Sequence, residues 1–497
     1  MTVSTLPPPN VTPPVAAQQP VQQNASWSTW EKFFFRVSFL FFILLLVPLE
    51  AGWYSKLFSS KTFFAFLNGL TGYRPNFYAI RSESGRWGLY SFSSWGVSLL
   101  IGLAGAAIWT FIARNSKRKS YNELYYWLRV VVRYRLAIGI IAFGFLKLYP
   151  MQMPDPSISN LDTRFGDYNT YKIYWQIVGV SIWYEIVLGL VEIIAGVLLF
   201  FRGTVALGAV LVAGVLYNIA HANIAYDGGV HVYSAFFVLG SLFVLLPYIP
   251  NLWKLLILQQ DVTPKYYYPK FNSRGKEKAS YLIKYAVIFV FTLLFGILRY
   301  DVHYHVGQLK EPITPGLPNA QGYYNVTEFR LDNKVLPYDP LDSVRWQSAV
   351  FEKWSTFIYK VNKPFPVSLN NGTPTPRDID RSYELAGIAG GRRFLYYTID
   401  AKAGKLILQD KNKPSLNEGD GPSGKGDPRP AKADGRKKPE EKERPKLVWS
   451  YSRPSSSRII ISGLNEQGKS IYAVLDRVEK QYPIKYDRSV AQYTTHH

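Results

Sequence analysis

The sequence contains no cysteine among its 497 residues. This absence excludes disulfides, thiolate metal sites and thiol chemistry by the chain itself. Histidine is scarce, with 6 residues, and no H-E-x-x-H metal signature is present. The last 200 residues also lack a G-x-S-x-G signature and a paired-carboxylate motif. Binding or assembly is therefore a better expectation for that part of the chain than hydrolysis.

Charge is missing from the first 26 residues, which are rich in proline and glutamine. We expect residues 1–30 to form a disordered tail. The tail lacks the basic region of a signal peptide, so the first apolar segment is expected to remain as an anchor. The whole chain carries a formal net charge of +22. Its basic residues are spread over loops that flank apolar segments. This distribution indicates that the positive charge follows the positive-inside rule of membrane proteins and does not serve to bind nucleic acid.

Long apolar segments fill the first 300 residues, and several approach the length of about 20 residues that crosses a bilayer. The sequence predicts seven transmembrane helices, at 33–49, 93–113, 132–149, 182–201, 204–222, 229–248 and 281–299. The expected organisation is a tail at 1–30, two helices with an outer loop at 31–127, a four-helix unit at 128–250, a basic cytoplasmic loop with the last helix at 251–300, and a soluble β domain at 301–497.

The distribution of lysine and arginine predicts the orientation. With a cytoplasmic N-terminus, the inner segments hold 17 basic residues and the outer segments before the β domain hold 8. Five of those 8 lie in the loop at 50–92. This orientation places the β domain in the periplasm of a cell with two membranes and the chain in a bacterial inner membrane. The lipid bilayer is then its first partner.

Charged residues within the predicted spans are candidates for function, because a charge in the bilayer core is costly. Arg135 lies at the inner end of the third span and Lys147 at its outer end. Glu185 and Glu192 lie seven residues apart in the fourth span, so they share one helix face. Lys147 and Glu185 have similar depth, which allows the two to pair, whereas Glu192 has no evident partner at its depth. Structural contacts that hold the bundle together remain the alternative interpretation.

The stretch "YNIAHANIAYDGGVHVYSA" at 217–235 concentrates polar residues in a turn between two spans. It contains His221, Asp227 and His231, while His303 and His305 follow the last span on the same predicted side. Three interpretations stay open. In the first, these side chains form a haem or metal site with His303 and His305 as ligands. In the second, they form a proton-relay or quinone head-group site, and in the third they belong to an interfacial turn whose polar groups only satisfy helix ends.

The segment at about 131–250 resembles the DoxX family of membrane proteins. The resemblance depends on "RLAIGIIAFGFLKL" at 135–148, "YEIVLGLVEIIAGVLLFFRGT" at 184–204, "ALGAVLVAGVL" and "GSLFVLLPYI". Arg135, Lys147 and Glu185 match the arginine, lysine and glutamate pattern of that family. The resemblance implies a four-helix membrane unit, found in some relatives as a subunit of thiosulfate:quinone oxidoreductase. This chain is most similar to longer members with an appended β domain.

Residues 301–497 show about nine short alternating segments, which predict an antiparallel barrel or sandwich similar to small lipocalin-like barrels. They are "YYNVTEFRL", "VRWQSAVF", "STFIYKV", "YELAGIA", "RFLYYTI", "KLILQ", "LVWSYS", "RIIIS" and "SIYAVLDRV". Turn residues at 400–405 and 465–470 separate two pairs of them. A charged segment at 411–446 is expected to be a disordered insert.

Two functions follow from these observations. In the first, the chain is a subunit of a redox or quinone-linked envelope complex, and Lys147, Glu185, His221, Asp227 and His231 handle protons or a quinone head group. The β domain then docks another membrane or periplasmic subunit. In the second, the chain is a non-enzymatic structural or accessory subunit whose β domain serves as an interaction module.

Overall fold

The computed structural model describes residues 26–75, 77–78, 89–264, 266–368, 372, 374–412 and 444–485. Its N-terminal part is helical and its C-terminal part is a β-barrel. The helices are α1 Thr29–Leu46, α2 Ala51–Phe58, α3 Phe63–Thr71, α4 Ser93–Ile112, α5 Asn122–Leu148, α6 Ile158–Leu161, α7 Thr170–Gly179, α8 Ile182–Leu199, α9 Val205–Ala225, α10 His231–Leu245, α11 Ile249–Leu256, α12 Arg274–Ile288 and α13 Phe295–Tyr304. A π-helical turn at Phe289–Leu294 joins α12 to α13.

Within the described residues, four helical segments are long and apolar enough to cross a membrane. They are Tyr90–Asn115, Ile182–Leu199, Val205–Ala225 and Arg274–Tyr304. The number rises to six if the bent pairs α1–α2 (46°) and α10–α11 (79°) each count as one span. Every predicted span corresponds to a helix, but α5 carries four basic residues and is not among these candidates. The count of seven is therefore not confirmed.

Helices α5 and α8 pack closely against each other, and small residues make this contact possible. A Cβ atom added to Gly189 would lie 2.5 Å from the backbone nitrogen of Leu148, and one at Gly144 would lie 2.8 Å from the carbonyl oxygen of Gly189. Small residues allow helix backbones to approach in this way in membranes. Because Glu185 and Glu192 share the face of α8 that carries Gly189, this contact brings both carboxylates against α5.

The segment predicted as a simple outer loop at 50–92 contains two short helices, and α3 packs within the bundle. The ring of Phe64 lies 5.7 Å from that of Phe295 on α13, and Asn68 Oδ1 accepts a hydrogen bond of 2.8 Å from Arg299. The C-terminal end of α3 presents the carbonyl oxygen of Thr71 to α5 and α10. The prediction missed this fold-back because its short apolar helices do not have the length of a span.

The barrel is a closed, antiparallel, up-and-down sheet. Its strands are β1 Gly322–Leu331, β2 Lys334–Val335, β3 Ser348–Phe351, β4 Thr356–Lys360, β5 Arg392–Asp400, β6 Lys405–Asp410, β7 Leu447–Ser455, β8 Arg458–Leu464 and β9 Ser470–Val478. The order runs β1-β3-β4-β5-β6-β7-β8-β9, and β9 returns to pair with β1 through Tyr323↔Val478 and Leu331↔Ile471. Eight strands close the barrel, while β2 only extends the end of β1. Of the two predicted architectures, barrel is correct and sandwich is not.

Side chains fill the barrel interior. The rings of Trp346, Phe357 and Trp449 lie within 6.0 Å of one another, and Tyr324 and Tyr397 are fully buried in the same cluster. An eight-stranded barrel is narrow enough for its side chains to do this. The interior is therefore a packed core.

The alternating segments correspond to strands with one exception, "YELAGIA" at 383–389, which forms a series of turns. Gly387 adopts a left-handed φ of 71°, which interrupts an extended strand. Its carbonyl accepts a hydrogen bond of 2.9 Å from the backbone of Asn169, just before α7. The prediction was wrong because the apolar residues of this segment pack outside the barrel. Lys411 and Arg444 at the ends of the predicted insert are ordered, and residues 413–443 lie outside the described residues.

The segment between α5 and α8, residues 149–181, lies directly against the barrel. The carboxylate of Glu352 on the barrel accepts hydrogen bonds from the backbone of Ile158 (3.1 Å) and Ser159 (2.8 Å). Asn160 donates to the carbonyl of Glu384 at 2.8 Å. Since α13 also leads into the barrel, α5, α8 and α13 share one end of the bundle, which we call the barrel end.

Candidate functional site

A buried ion pair in the bundle joins Lys147 to Glu192. Lys147 Nζ lies 2.8 Å from both carboxylate oxygens, and both side chains are buried. Lys147 therefore pairs with Glu192 and not with Glu185, and Glu192, which had no evident partner in the sequence, has one. Lys147 points along α5 towards its N-terminal end, as helical side chains do, which brings the ammonium to the level of Glu192.

Glu185, in the first turn of α8, turns towards the segment that follows α5. Its Oε1 atom accepts hydrogen bonds from the backbone of Gln152 (3.0 Å) and Met153 (3.1 Å). The side chain is completely buried, and Oε2 has no hydrogen-bond partner among the described residues. Lys147 and Lys310 are the cations that act electrostatically on this carboxylate. Glu185 thus lies between the bundle and the barrel.

Two buried lysines and one tyrosine ring form the barrel side of the same site. Lys172 Nζ donates to the carbonyl of Tyr383 at 2.5 Å and lies 3.6 Å from the centre of its ring. Lys310 Nζ donates to the carbonyl of Gln152 at 2.8 Å and lies 5.4 Å from the same ring. The hydroxyl of Tyr383 is buried and has no hydrogen-bond partner in the described part of the chain.

We call Gln152, Lys172, Trp175, Glu185, Lys310, Glu311 and Tyr383 the junction cluster. Four of its buried polar atoms have no hydrogen-bond partner within the ranges that the structure describes: Gln152 Oε1, Trp175 Nε1, Glu185 Oε2 and Tyr383 Oη. Buried polar groups are normally satisfied, so each exception calls for an explanation. Two acceptors and two donors close to two cations form a site that a water or a small polar ligand can complete.

Burial shifts the pKa values of three side chains in the cluster towards 7. Burial lowers the pKa of Lys172 to about 7, and the nearby ammonium of Lys310 lowers it further. Burial likewise lowers the pKa of Lys310 to about 8. For the carboxyl of Glu311, burial raises the pKa to about 7. Acids and bases whose pKa values converge near 7 can exchange protons at physiological pH.

These shifts predict how stability depends on pH. The folded state binds more protons than the unfolded state at Glu311 between about pH 4.5 and 7, so stability should fall as pH rises through that window. At Lys172 the folded state binds fewer protons between about pH 7 and 10.5, so stability should rise there. A minimum of stability is therefore expected near pH 7, and thermal unfolding of the protein in detergent measures it. In Lys172→Met the rise of stability above pH 7 should be smaller. An unchanged pH profile in that variant would contradict the lowered pKa of Lys172.

A second buried ion pair supports the junction cluster from within the barrel domain. Glu384 accepts hydrogen bonds from Trp354 Nε1 (2.6 Å) and Thr356 Oγ1 (2.9 Å), and it pairs with the ammonium of Lys411 at 2.6 Å. Glu384 adjoins Tyr383 in the chain, so these contacts fix the position of the ring that lies between the two lysines.

The four described histidines do not meet. The Nε2 atom of His231 lies 3.0 Å from Ser91 Oγ, while His221 is exposed with its ring stacked on Tyr217. His303 is buried beside Tyr304, and its Nδ1 atom has no hydrogen-bond partner among the described residues. His305 faces solvent and contacts Asp301 at 2.8 Å.

No three histidine, aspartate or glutamate residues in the described ranges lie close enough to hold a metal ion. His303 and His305 therefore have no third ligand of these types there. Two residues apart on a helix, they face different directions, which explains the buried ring and the exposed one. Asp227 adopts a positive φ of 52° in the turn between α9 and α10, as expected of a tight turn.

Arg135 lies at the middle of α5 and not at its inner end, because the helix already begins at Asn122. Its guanidinium donates to the carbonyls of Thr71 (3.3 Å) and Tyr73 and to the hydroxyl of Tyr233 (3.1 Å). Carbonyls at the C-terminal end of a helix favour a cation. Arg135 thus holds the end of α3 in the bundle, which is a structural role.

Sequence reasoning identified Glu185 but missed the rest of the junction cluster. Lys172 and Tyr383 are 211 residues apart, and Lys310 and Gln152 are 158 residues apart. One signal was available, since Lys172 lies among the apolar and aromatic residues of "YKIYWQIVG". A lysine in such a segment is a candidate for burial, which lowers its pKa.

The fold and the site define a class: a helical bundle, with segments long and apolar enough to cross a membrane, that is joined at one end to an eight-stranded barrel through a buried acid–base cluster. No family model matches the chain, and no curated protein or solved structure is significantly similar to it. Membership of the DoxX family stays a prediction from the sequence.

Proposed function

We propose that this protein is a DoxX-like membrane subunit of a redox or quinone-linked envelope complex, and that the junction cluster handles protons for it. The observation that supports the proposal is the set of four polar atoms of the junction cluster that have no hydrogen-bond partner among the described residues and lie beside Lys172 and Lys310. Buried groups with pKa values near 7 are concentrated at functional sites. A quinone needs proton donors when it is reduced, and the cluster supplies both donors and acceptors.

The proposed arrangement has seven spans, with α5 as the additional one, in a bacterial inner membrane. The N-terminus is cytoplasmic and the barrel is periplasmic, which the distribution of basic residues favours. The pair Lys147–Glu192 lies beyond Glu185 on the bundle side, and Lys147 acts on the Glu185 carboxylate. These groups provide a series of titratable side chains from the bundle to the barrel. His221, Asp227 and His231 belong to a separate part of the barrel end.

A quinone-binding experiment tests the proposal. We expect a quinone to co-purify with the detergent-solubilised protein, detected by mass spectrometry of an organic extract. Adding a short-chain quinone should quench the fluorescence of Trp175, because its indole belongs to the cluster. Glu185→Gln and Lys310→Met should each weaken quinone binding about tenfold, since each removes a charged hydrogen-bonding group. Arg164→Gln, an exposed charge change in the same segment, is the matched control.

Several outcomes would contradict the junction site. Wild-type affinity in both cluster variants would show that the cluster does not bind the quinone. A loss of binding in His221→Ala alone would move the site to the turn between α9 and α10. Purified protein that neither retains nor binds a quinone would leave the redox-linked function without support. A haem absorbance band or a stoichiometric metal would point to a different cofactor.

The barrel surface favours a second candidate function, a non-enzymatic accessory subunit whose barrel docks a partner. The interior is packed, so only the outer surface can bind. The loop between β2 and β3 exposes Tyr338 by 66% and Leu341 by 78%, with Val335 and Val344 close in sequence. Neighbouring exposed apolar residues are typical of protein interaction sites.

Site-specific crosslinking separates the two functions. A photoreactive amino acid at position 341 should capture one partner in intact cells, and Leu341→Asp should abolish the complex during purification. Leu464→Asp, another exposed leucine on the barrel, should leave it intact. A stoichiometric partner without a bound cofactor would favour the accessory role over the redox-linked one.

A further inference from the structure

The end of the bundle opposite the barrel contains a pocket lined by arginine and tyrosine. Arg129 and Arg133 come from the first half of α5, and Arg202 comes from the turn between α8 and α9. The remaining polar lining consists of five tyrosines: Tyr126, Tyr248, Tyr266, Tyr267 and Tyr268. We call this the arginine pocket. It shares no residue with the junction cluster.

Among the described residues, the arginines of this pocket have no anionic partner. None of the three forms an ion pair with a carboxylate in the described residues, although Glu123 lies close enough to act on Tyr267. Arg133 is only 8% exposed, and its Nε atom has no hydrogen-bond partner in the part of the chain that the structure describes. Arg129 Nε is also buried and finds no hydrogen-bond partner within the described ranges, while its Nη2 atom donates to the carbonyl of Val244 at 3.2 Å.

An unpaired buried cation is costly, which indicates that a group outside the described residues neutralises Arg133. A fourth cation adds to the cost, since Lys284 on α12 lies within electrostatic reach of Arg133 and Arg202. A solvated surface patch would leave these groups in water, but Arg133 is buried. An anion that accepts several N–H donors at once is the ligand that fits this arrangement.

The tyrosines hold the guanidinium groups by their faces. Arg202 lies 5.6 Å from the ring of Tyr126 and 5.0 Å from that of Tyr268, and Arg129 lies 5.2 Å from that of Tyr248. A guanidinium stacked on a ring keeps the donors at its edge available for bidentate contact with phosphate. The tyrosine hydroxyls lining the pocket can donate further hydrogen bonds to the same anion.

The neighbouring helix indicates where such a phosphate comes from. Tyr248 of the pocket directly precedes α11, which bends by 79° from α10 and exposes Trp253, Leu255 and Leu256. A short helix that exposes apolar side chains at the end of a membrane bundle is suited to the headgroup region of a bilayer. Basic pockets at such positions accept anionic lipid head groups. We propose that the arginine pocket binds the phosphate of an anionic phospholipid.

Lipid titration of the full-length, detergent-purified protein tests this inference. We expect phosphatidylglycerol to raise the thermal unfolding midpoint more than phosphatidylcholine does at the same concentration. Arg202→Gln should weaken the apparent affinity for phosphatidylglycerol about tenfold, since it removes one charged donor. Arg202 is exposed, so this variant should fold. Arg114→Gln, an exposed arginine in the turn after α4 at the same end, should bind phosphatidylglycerol like the wild type.

A second variant and a soluble probe complete the test. Arg133→Lys keeps the charge but loses the planar donors, so it should also weaken the lipid effect. Inorganic phosphate alone should give much less protection than the lipid. Equal protection by inorganic phosphate would overturn the lipid assignment in favour of a soluble phosphate compound. An equal response to both lipids in the wild type, or equal losses in Arg202→Gln and Arg114→Gln, would overturn the proposal as a whole.

Discussion

Replacing Lys147 with methionine should lower the free energy of unfolding by about 3–5 kcal/mol, because the Glu192 carboxylate would stay buried without its partner. Methionine has nearly the length of lysine, so the change removes the charge and leaves little cavity. Both side chains are almost inaccessible to solvent, and the ammonium contacts both carboxylate oxygens. The measurement is an unfolding titration of the purified protein in mixed micelles.

The matching double variant, Lys147→Met with Glu192→Leu, provides the control. Removing both partners of a buried ion pair is often nearly neutral, because neither charge is left unsatisfied. The double variant should therefore recover more than half of the stability that the single variant loses. A single variant within about 1 kcal/mol of the wild type would show that the two groups are not paired. It would equally contradict a pairing of Lys147 with Glu185.

Replacing Glu384 with alanine should be the most damaging single change in the barrel domain. The variant would leave Lys411 buried and unpaired and would remove the acceptors of Trp354 and Thr356. A loss of about 3–5 kcal/mol is expected from breaking one partner of such a pair. Hydrogen exchange should show faster exchange of the β4 and β5 amides in the full chain.

An exposed ion pair in the same domain supplies the comparison. Glu466 contacts Arg393 at 2.5 Å, but its side chain is half exposed. Glu466→Ala should change stability by no more than about 1 kcal/mol, because exposed pairs contribute little. If the two variants lose similar amounts of stability, burial does not make the Glu384 pair more important than an exposed pair. If Glu384→Ala also alters quinone binding, the position of the Tyr383 ring is the physical link.

The helices were predictable because their signal is local. Each apolar segment that was long enough in the sequence became a helix, and β1, β5, β8 and β9 follow the alternating segments closely. Failures arose where a distant contact outweighed the local pattern. The segment at 383–389 alternates like a strand, yet it packs against the helical segment before α8 and turns at Gly387.

The candidate site was predictable only in part. Glu185 and Lys147 attracted attention because charges are rare in apolar segments, and both are buried as that argument requires. Their partners could not be predicted, since periodicity indicates which face of a helix a residue occupies but not what lies opposite. The histidines were prominent in the sequence through their number in one turn, whereas the structure separates them.

The sequence by itself determined the division into a helical part, with segments long and apolar enough to cross a membrane, and an antiparallel β domain, because periodicity and segment length are properties of neighbouring residues. Only the tertiary structure decided that Lys147 pairs with Glu192, that the barrel closes through β1 and β9, and that a junction cluster exists. These features join residues separated by 45 to 211 positions. The order of residues along the chain does not specify such contacts. They are specified by the close packing of helices through glycine and by the burial of the barrel loops against α6 and α7.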